Sequence, residues 1–133
     1  MSNKNPVVHF EMPYDNHERV SKFYNTVFGW ELQKMGEEMG HYITASTTET
    51  DENRMVKIPG TINGGFFPKR PDMPSLHPSV VIAVDNIKDS MKKITDLGGQ
   101  VFGEPVEIPG IGQYVSFEDT EGNRISILQP AKM

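Results

Sequence analysis

Hydrophobic and polar positions alternate along this chain with two periods, and the two periods recur in the same order in each half. Residues 7–12, Val7-Val8-His9-Phe10-Glu11-Met12, alternate at period two and read as a strand. A stripe at helical spacing follows, Val20, Phe23, Tyr24, Val27 and Phe28, and Gly29 supplies a left-handed stop. Asp15 is placed to cap that helix, with Glu18 reaching back as the second half of a capping box. The second half opens on Ser79-Val80-Val81-Ile82-Ala83-Val84. Its helical stripe is Ile87, Met91, Ile94 and Leu97, capped by Asp85 or Asn86 and ended by Gly98-Gly99. After each helix the period returns to two. This predicts strands near 30–35, 41–47 and 61–67 in the first half, and near 99–107, 112–118 and 123–129 in the second. A polar insert, expected to be mobile, occupies 47–54. Asp119-Thr120-Glu121-Gly122-Asn123 reads as a hairpin turn with Gly122 at the position needing positive φ.

The helix-ending glycines are offset by about 70 residues, as are the strand starts, so the pattern is an internal βαβββ repeat. Pro68, Pro71, Pro74 and Pro78 separate the copies and cannot continue a central strand or a helix. The expected organisation is α+β: module one at 6–68, a linker at 69–77 and module two at 78–130, together one domain over 1–133. Each half is too short to close a sizeable core alone. The two are therefore expected to face each other as curved mixed sheets around a cavity, the natural place for a ligand.

Composition narrows the classes. The chain has 133 residues, a net charge of −5 and no cysteine. Its basic residues are scattered, so no nucleic-acid partner is expected. No run approaches the roughly 20 apolar residues of a membrane helix, and Met1-Ser2-Asn3-Lys4-Asn5 carries no apolar leader, so a cytoplasmic protein without a membrane partner is expected. The missing cysteines exclude disulfides, thiolate metal sites and thiol nucleophiles.

Strand parity assigns faces. Val8, Phe10 and Met12 suit the helix side of the first strand, which leaves Val7, His9 and Glu11 on the other face. Likewise Val80, Ile82 and Val84 leave Ser79, Val81 and Ala83, and Ile125 and Ile127 leave Arg124, Ser126 and Leu128. His9 and Glu11 are the sharpest candidates for chemistry. Two apart on a strand, they project from one face about 6–7 Å apart, as an acid/base pair or as two ligands to a divalent ion. The bland alternative is a buried histidine bonded to backbone. His17, His41 and His77 read as solvated. The glycines of 60–67 form no phosphate loop, and the pair Gly64-Gly65 marks a bulge or a close approach. Met35, Met39, Met55 and Met73 lie outside the stripes and suit the rim of a cavity.

The βαβββ repeat resembles the vicinal oxygen chelate superfamily, as do the opening Val8-His9-Phe10-Glu11 with Phe23-Tyr24 and Phe28-Gly29-Trp30, and the segment 117–123. That superfamily includes glyoxalase I, extradiol dioxygenases and bleomycin resistance proteins. Ile62-Asn63-Gly64-Gly65, the run 108–112 and Leu128-Gln129-Pro130 are similar to the single-domain bacterial branch related to lactoylglutathione lyase. The resemblance covers residues 6–130 and implies a glyoxalase-like fold. It also implies one divalent-metal ligand on each of the first, fourth, fifth and eighth strands. Those positions fall on His9, the stretch Gly64-Gly65-Phe66, Ser79 and Ser126, so one ligand type of four is kept. No cofactor is expected, and a divalent metal is disfavoured.

Three readings follow. The leading one is a metal-independent site that binds a small organic molecule through His9, Glu11, Ser79 and Ser126. The second is a lyase or isomerase of glyoxalase type with His9 and Glu11 catalytic, either with His9 as general base or with a metal site rebuilt from Glu11 and His77. The third is a non-catalytic interaction subunit. The resemblance implies a homodimer under all three.

Overall fold

The computed structural model describes residues 4–69 and 77–131. The repeat is present. The first copy is β1 (Val7–Tyr14), α1 (His17–Phe28), β2 (Glu31–Lys34), β3 (Ile43–Ser46) and β4 (Asn63–Pro68), with a single 3-10 turn, Glu37–Met39, between β2 and β3. The second is β5 (Ser79–Ala83), α2 (Ile87–Asp96), β6 (Gln100–Ile108), β7 (Gly112–Glu118) and β8 (Arg124–Pro130). The chain divides into two compact units, His9–Pro78 and Ser79–Met133 with Met1–Val8. The expected linker at 69–77 falls mostly on 70–76, which lie outside the described residues, as does Met73.

In the first-half unit the strand order is β2-β3-β4-β1. The β2–β3 and β3–β4 pairs are antiparallel, and β1 runs parallel to β4 with Glu11 opposite Gly65 and Met12 opposite Phe66. One face builds the core from Tyr14, Ile43, Ala45 and Phe66, with Phe10, Met12, Val20, Tyr24, Trp30 and Leu32 packed against it. These are the alternate residues of each strand, as burial on one face requires. Helix α1 contributes less than its stripe predicts. Val20 and Tyr24 join the core, whereas Phe23, Val27 and Phe28 are 54%, 55% and 60% exposed. The aromatic that completes the packing is Trp30, beyond the helix, stacked on Tyr24 with ring centroids 4.8 Å apart.

The helix cap also differs from expectation. Asn16, not Asp15, is the N-cap, its backbone extended and its side chain accepting from the Arg19 N–H at 2.8 Å. Arg19 then occupies the third helical position, so Glu18 is one residue early for a capping box and acts only as an acidic group in the first turn. Asp15 pairs instead with Lys69 at 3.1 Å. Gly29 ends the helix at φ 74°, as read from the sequence. The polar segment 47–54 is tied down by Thr50 bridging Val56, and by the Asp51 carboxylate accepting from Asn53 N–H and Met55 N–H.

The second-half unit repeats the arrangement as β5-β8-β7-β6, with β5 parallel to β8 and the other pairs antiparallel. Val84, Ile87, Val115, Phe117 and Ile127 form its core under Met91 and Ile94 of α2. Asn86 is the cap, accepting from the Asp89 N–H at 3.0 Å. The Gln129 side chain accepts from the Ile87 N–H at 2.9 Å. Leu97 leaves the predicted stripe and is 79% exposed, because the helix has already ended at Asp96. A register shift between Phe102 and Val106, with Gly103 at φ 84°, bends β6. The Pro6 carbonyl accepts from Ala83 N–H at 2.9 Å, which brings the start of the chain to this unit. The turn at 119–123 forms as expected: the Asp119 carboxylate accepts from Glu121 and Asn123, and Gly122 sits at φ 85°. The hydrogen bond from the Asn123 side chain, chiefly, holds the Asp119 carboxyl below its ordinary pKa.

Candidate functional site

On β1, parity puts Phe10 and Met12 under α1 and sends His9 and Glu11 to the opposite face. The two do not stand alone on that face. The Tyr42 hydroxyl donates to Glu11 Oε2 at 3.1 Å and lies 3.0 Å from His9 Nε2. Tyr42 immediately precedes β3, and its ring must cross the width of β4 to reach β1. It can do so because the residue it crosses is Gly65: a Cβ there would collide with the Tyr42 ring. Gly64 does the same on the other face, where a Cβ would collide with the Phe10 ring. The glycine pair therefore marks close approach and no bulge, since β4 keeps unbroken register with both neighbours. One glycine seats a core aromatic and the other seats a polar bridge.

With Glu11 ionised, one arrangement of protons satisfies both contacts. A phenol has one hydrogen, and here it goes to the Glu11 carboxylate, so the Tyr42 oxygen is left as an acceptor toward His9. His9 Nε2 must then be the protonated nitrogen, which makes Nδ1 the lone pair of the neutral ring. Burial holds the His9 imidazole below its ordinary pKa of 6.5, so this neutral form dominates at neutral pH. Glu11 is only 7% exposed, and a carboxylate so buried needs donors; Tyr42 is one of them. The result is a half-buried base whose tautomer is set from behind. Sequence reading missed Tyr42. The signal was present, because Ile43 and Ala45 belong to the core and parity sends Tyr42 outward with Thr44.

Ser126, on β8, is 3% exposed and hydrogen-bonded within its own sheet. Its hydroxyl lies 2.7 Å from that of Tyr114 and 3.1 Å from that of Ser116. Ser79 begins β5 on the same face as Val81, which pairs with Ser126, and is half-buried. The other histidines do not join these groups. His41 is exposed at φ 58°, its carbonyl accepting from the Tyr14 hydroxyl at 2.6 Å. His77 is exposed.

The residues at the four metal positions do not fit a divalent ion. They supply one imidazole, already bonded at Nε2, a glycine on β4, and two serine hydroxyls, which are weak ligands while protonated. Among the described residues no three His, Asp or Glu side chains come together in a way that holds a metal, so a site rebuilt from Glu11 and His77 is not formed.

The chain belongs to the glyoxalase/bleomycin resistance protein/dioxygenase superfamily, whose family model matches residues 7–127. It is 30% identical over 120 residues to a glyoxylase-like domain-containing protein of Didymella fabae, covering 88% of both chains. Among solved structures it is similar to the hypothetical protein BH1468 from Bacillus halodurans, with a TM-score of 0.68, 15% identity and 98% of each chain covered. It is also similar to the methylmalonyl-CoA epimerase of Mycobacterium tuberculosis, with a TM-score of 0.64, 12% identity, and 95% of this chain and 88% of that one covered. At these identities the solved structures share the fold, which among the described residues of this chain is an α+β arrangement of eight strands and two helices. Among the described residues no helix is long and apolar enough to cross a membrane.

Proposed function

We propose that this chain, acting as one glyoxalase-like domain, binds a small organic molecule through His9 and without a divalent metal ion. The observation that carries the reading is the His9–Tyr42–Glu11 network, which leaves the Nδ1 lone pair of a neutral, half-buried imidazole on the face of the first sheet opposite α1. Such a group accepts a hydrogen bond from an O–H or N–H of a ligand. Superfamily membership supports a small-molecule ligand of this kind. Ser79 and Ser126 enter the proposal as ligand groups of the second-half unit, Ser126 through the hydroxyls bonded to it, and a homodimer in the cytoplasm is the expected setting. The test is a thermal-shift screen of metabolites and antibiotics, run with and without a chelator. A binder raises the melting temperature by mass action. The reading expects at least one compound whose effect survives chelation and disappears in His9→Ala. It is overturned if every effective compound needs a metal, or if His9→Ala binds as well as the parent.

A second reading, catalysis by proton transfer, is favoured by one feature. The Tyr42–Glu11 pair behind Nε2 stabilises the imidazolium that forms when Nδ1 takes a proton, as a general base requires. The solved structure named above is a methylmalonyl-CoA epimerase, and removal of a proton from carbon is the step such a base supplies to an epimerisation. Exchange of that kind of proton in deuterated water, lost in His9→Gln, separates catalysis from simple binding.

A further inference from the structure

We infer that the open face of the second-half sheet holds a carboxylate-binding site built on Arg124, a site that does not depend on the reading of His9. Arg124 begins β8, and its guanidinium lies over the Phe102 ring of β6 with the Cζ 4.4 Å from the ring centroid. The ring anchors the cation from one side, and among the described residues no hydrogen bond or ion pair engages its N–H groups. Among the described residues no carboxylate lies within ion-pair distance of Arg124, although Glu118 is its cross-strand neighbour. Arg124 as a residue is half-buried. A cation stacked, partly buried and unpaired is an arrangement that an incoming anion completes.

The neighbouring groups point the same way. Ser116 stands opposite Phe102 on one side and opposite Ser126 on the other, so it lies beside the stacked guanidinium. Its hydroxyl is one end of a chain, Ser116–Ser126–Tyr114, at 3.1 and 2.7 Å. Either atom of each pair can donate, so the chain can reverse its polarity. With an anion at Ser116 all three hydrogens point toward it: Tyr114 donates to Ser126, Ser126 to Ser116, and Ser116 to the anion. Ser126 is buried and takes part only through its neighbours. A planar carboxylate fits best, receiving two parallel bonds from the guanidinium edge and one from Ser116.

The test is a titration of the full chain with sodium benzoate, followed by NMR on the Arg124 side-chain N–H and the backbone amides of Ser116 and Ser126. Benzamide, of the same shape but uncharged, and inorganic phosphate are titrated alongside. The inference expects saturable shifts with benzoate, about tenfold weaker effects with benzamide, and binding of benzoate weakened about tenfold or more by Arg124→Gln. Arg124→Lys, which keeps the charge and loses the fork, should weaken binding by an intermediate factor and serves if Arg124→Gln does not fold. Because the shifts are read at Arg124, Ser116 and Ser126, this result is obtained separately from that of the His9 reading. Equal shifts from benzamide, tighter binding of phosphate, or an unchanged affinity in both Arg124 variants would overturn the inference.

Discussion

Replacing Tyr42 by Phe removes one oxygen atom and, with it, the hydroxyl that bridges His9 and Glu11. The phenyl ring still fits over Gly65, so packing is preserved and the loss includes the two hydrogen bonds at 3.1 Å to Glu11 and 3.0 Å to His9. A hydrogen bond to a charged group contributes about 1.5–3 kcal/mol, and one between neutral groups about 1 kcal/mol. Glu11 is 7% exposed, so water replaces the lost donor poorly, although its other interactions remain. The expected destabilisation is about 1–3 kcal/mol, which for a chain of this size is a fall in melting temperature of about 3–15 °C. Urea unfolding followed through the fluorescence of Trp30, the only tryptophan, measures it directly, since that ring is stacked in the first-half core. The variant should also release the His9 tautomer, so that both ring nitrogens share the proton. A variant as stable as the parent, with His9 still protonated solely on Nε2, would refute the bridge.

Other expectations follow from the same coordinates. Gly65→Ala places a methyl group against the Tyr42 ring at a buried position of ordinary φ, so it should cost about 1–3 kcal/mol by overpacking and weaken any ligand that depends on His9. Asn16→Ala removes the α1 cap and should cost about 0.5–2 kcal/mol in a denaturant melt while leaving the His9 site unchanged. His9 has a folded-state pKa below its unfolded 6.5, so the stability it contributes is complete above pH 6.5 and is lost as pH falls through the lower value. Melts of the parent and His9→Gln across that range should converge toward low pH, and parallel curves would count against a buried neutral imidazole. Ligand binding through Nδ1 should weaken over the same acid range.

Most of the fold was legible because it rests on periodicity. The period-two and period-3.6 runs, Gly29 and the turn at Gly122 determine elements locally, and the same βαβββ order appears in both units. Details set by tertiary packing were not legible. Phe23, Val27 and Phe28 keep helical spacing, yet the sheet meets only the Val20–Tyr24 side, and nothing local to the helix reveals that Trp30 closes the core. Asp15 and Asn16 are both good caps, and one step of backbone geometry decides between them. For the candidate site, parity alone put His9 and Glu11 on the face of β1 opposite α1. Their bridge depends on a residue about 30 positions away crossing a strand, a relation that only the strand order β3-β4-β1 creates. The meaning of Gly65 is hidden for the same reason, because its missing side chain matters only once Tyr42 lies over it.

The most direct test of the account is nitrogen-detected NMR of His9 in chelator-treated protein, before and after addition of a compound that raises its melting temperature. The account predicts a neutral ring protonated at Nε2, with Nδ1 as the nitrogen whose resonance moves when the compound binds. A ring protonated at Nδ1, or an Nδ1 resonance that stays in place while the compound binds, would contradict it.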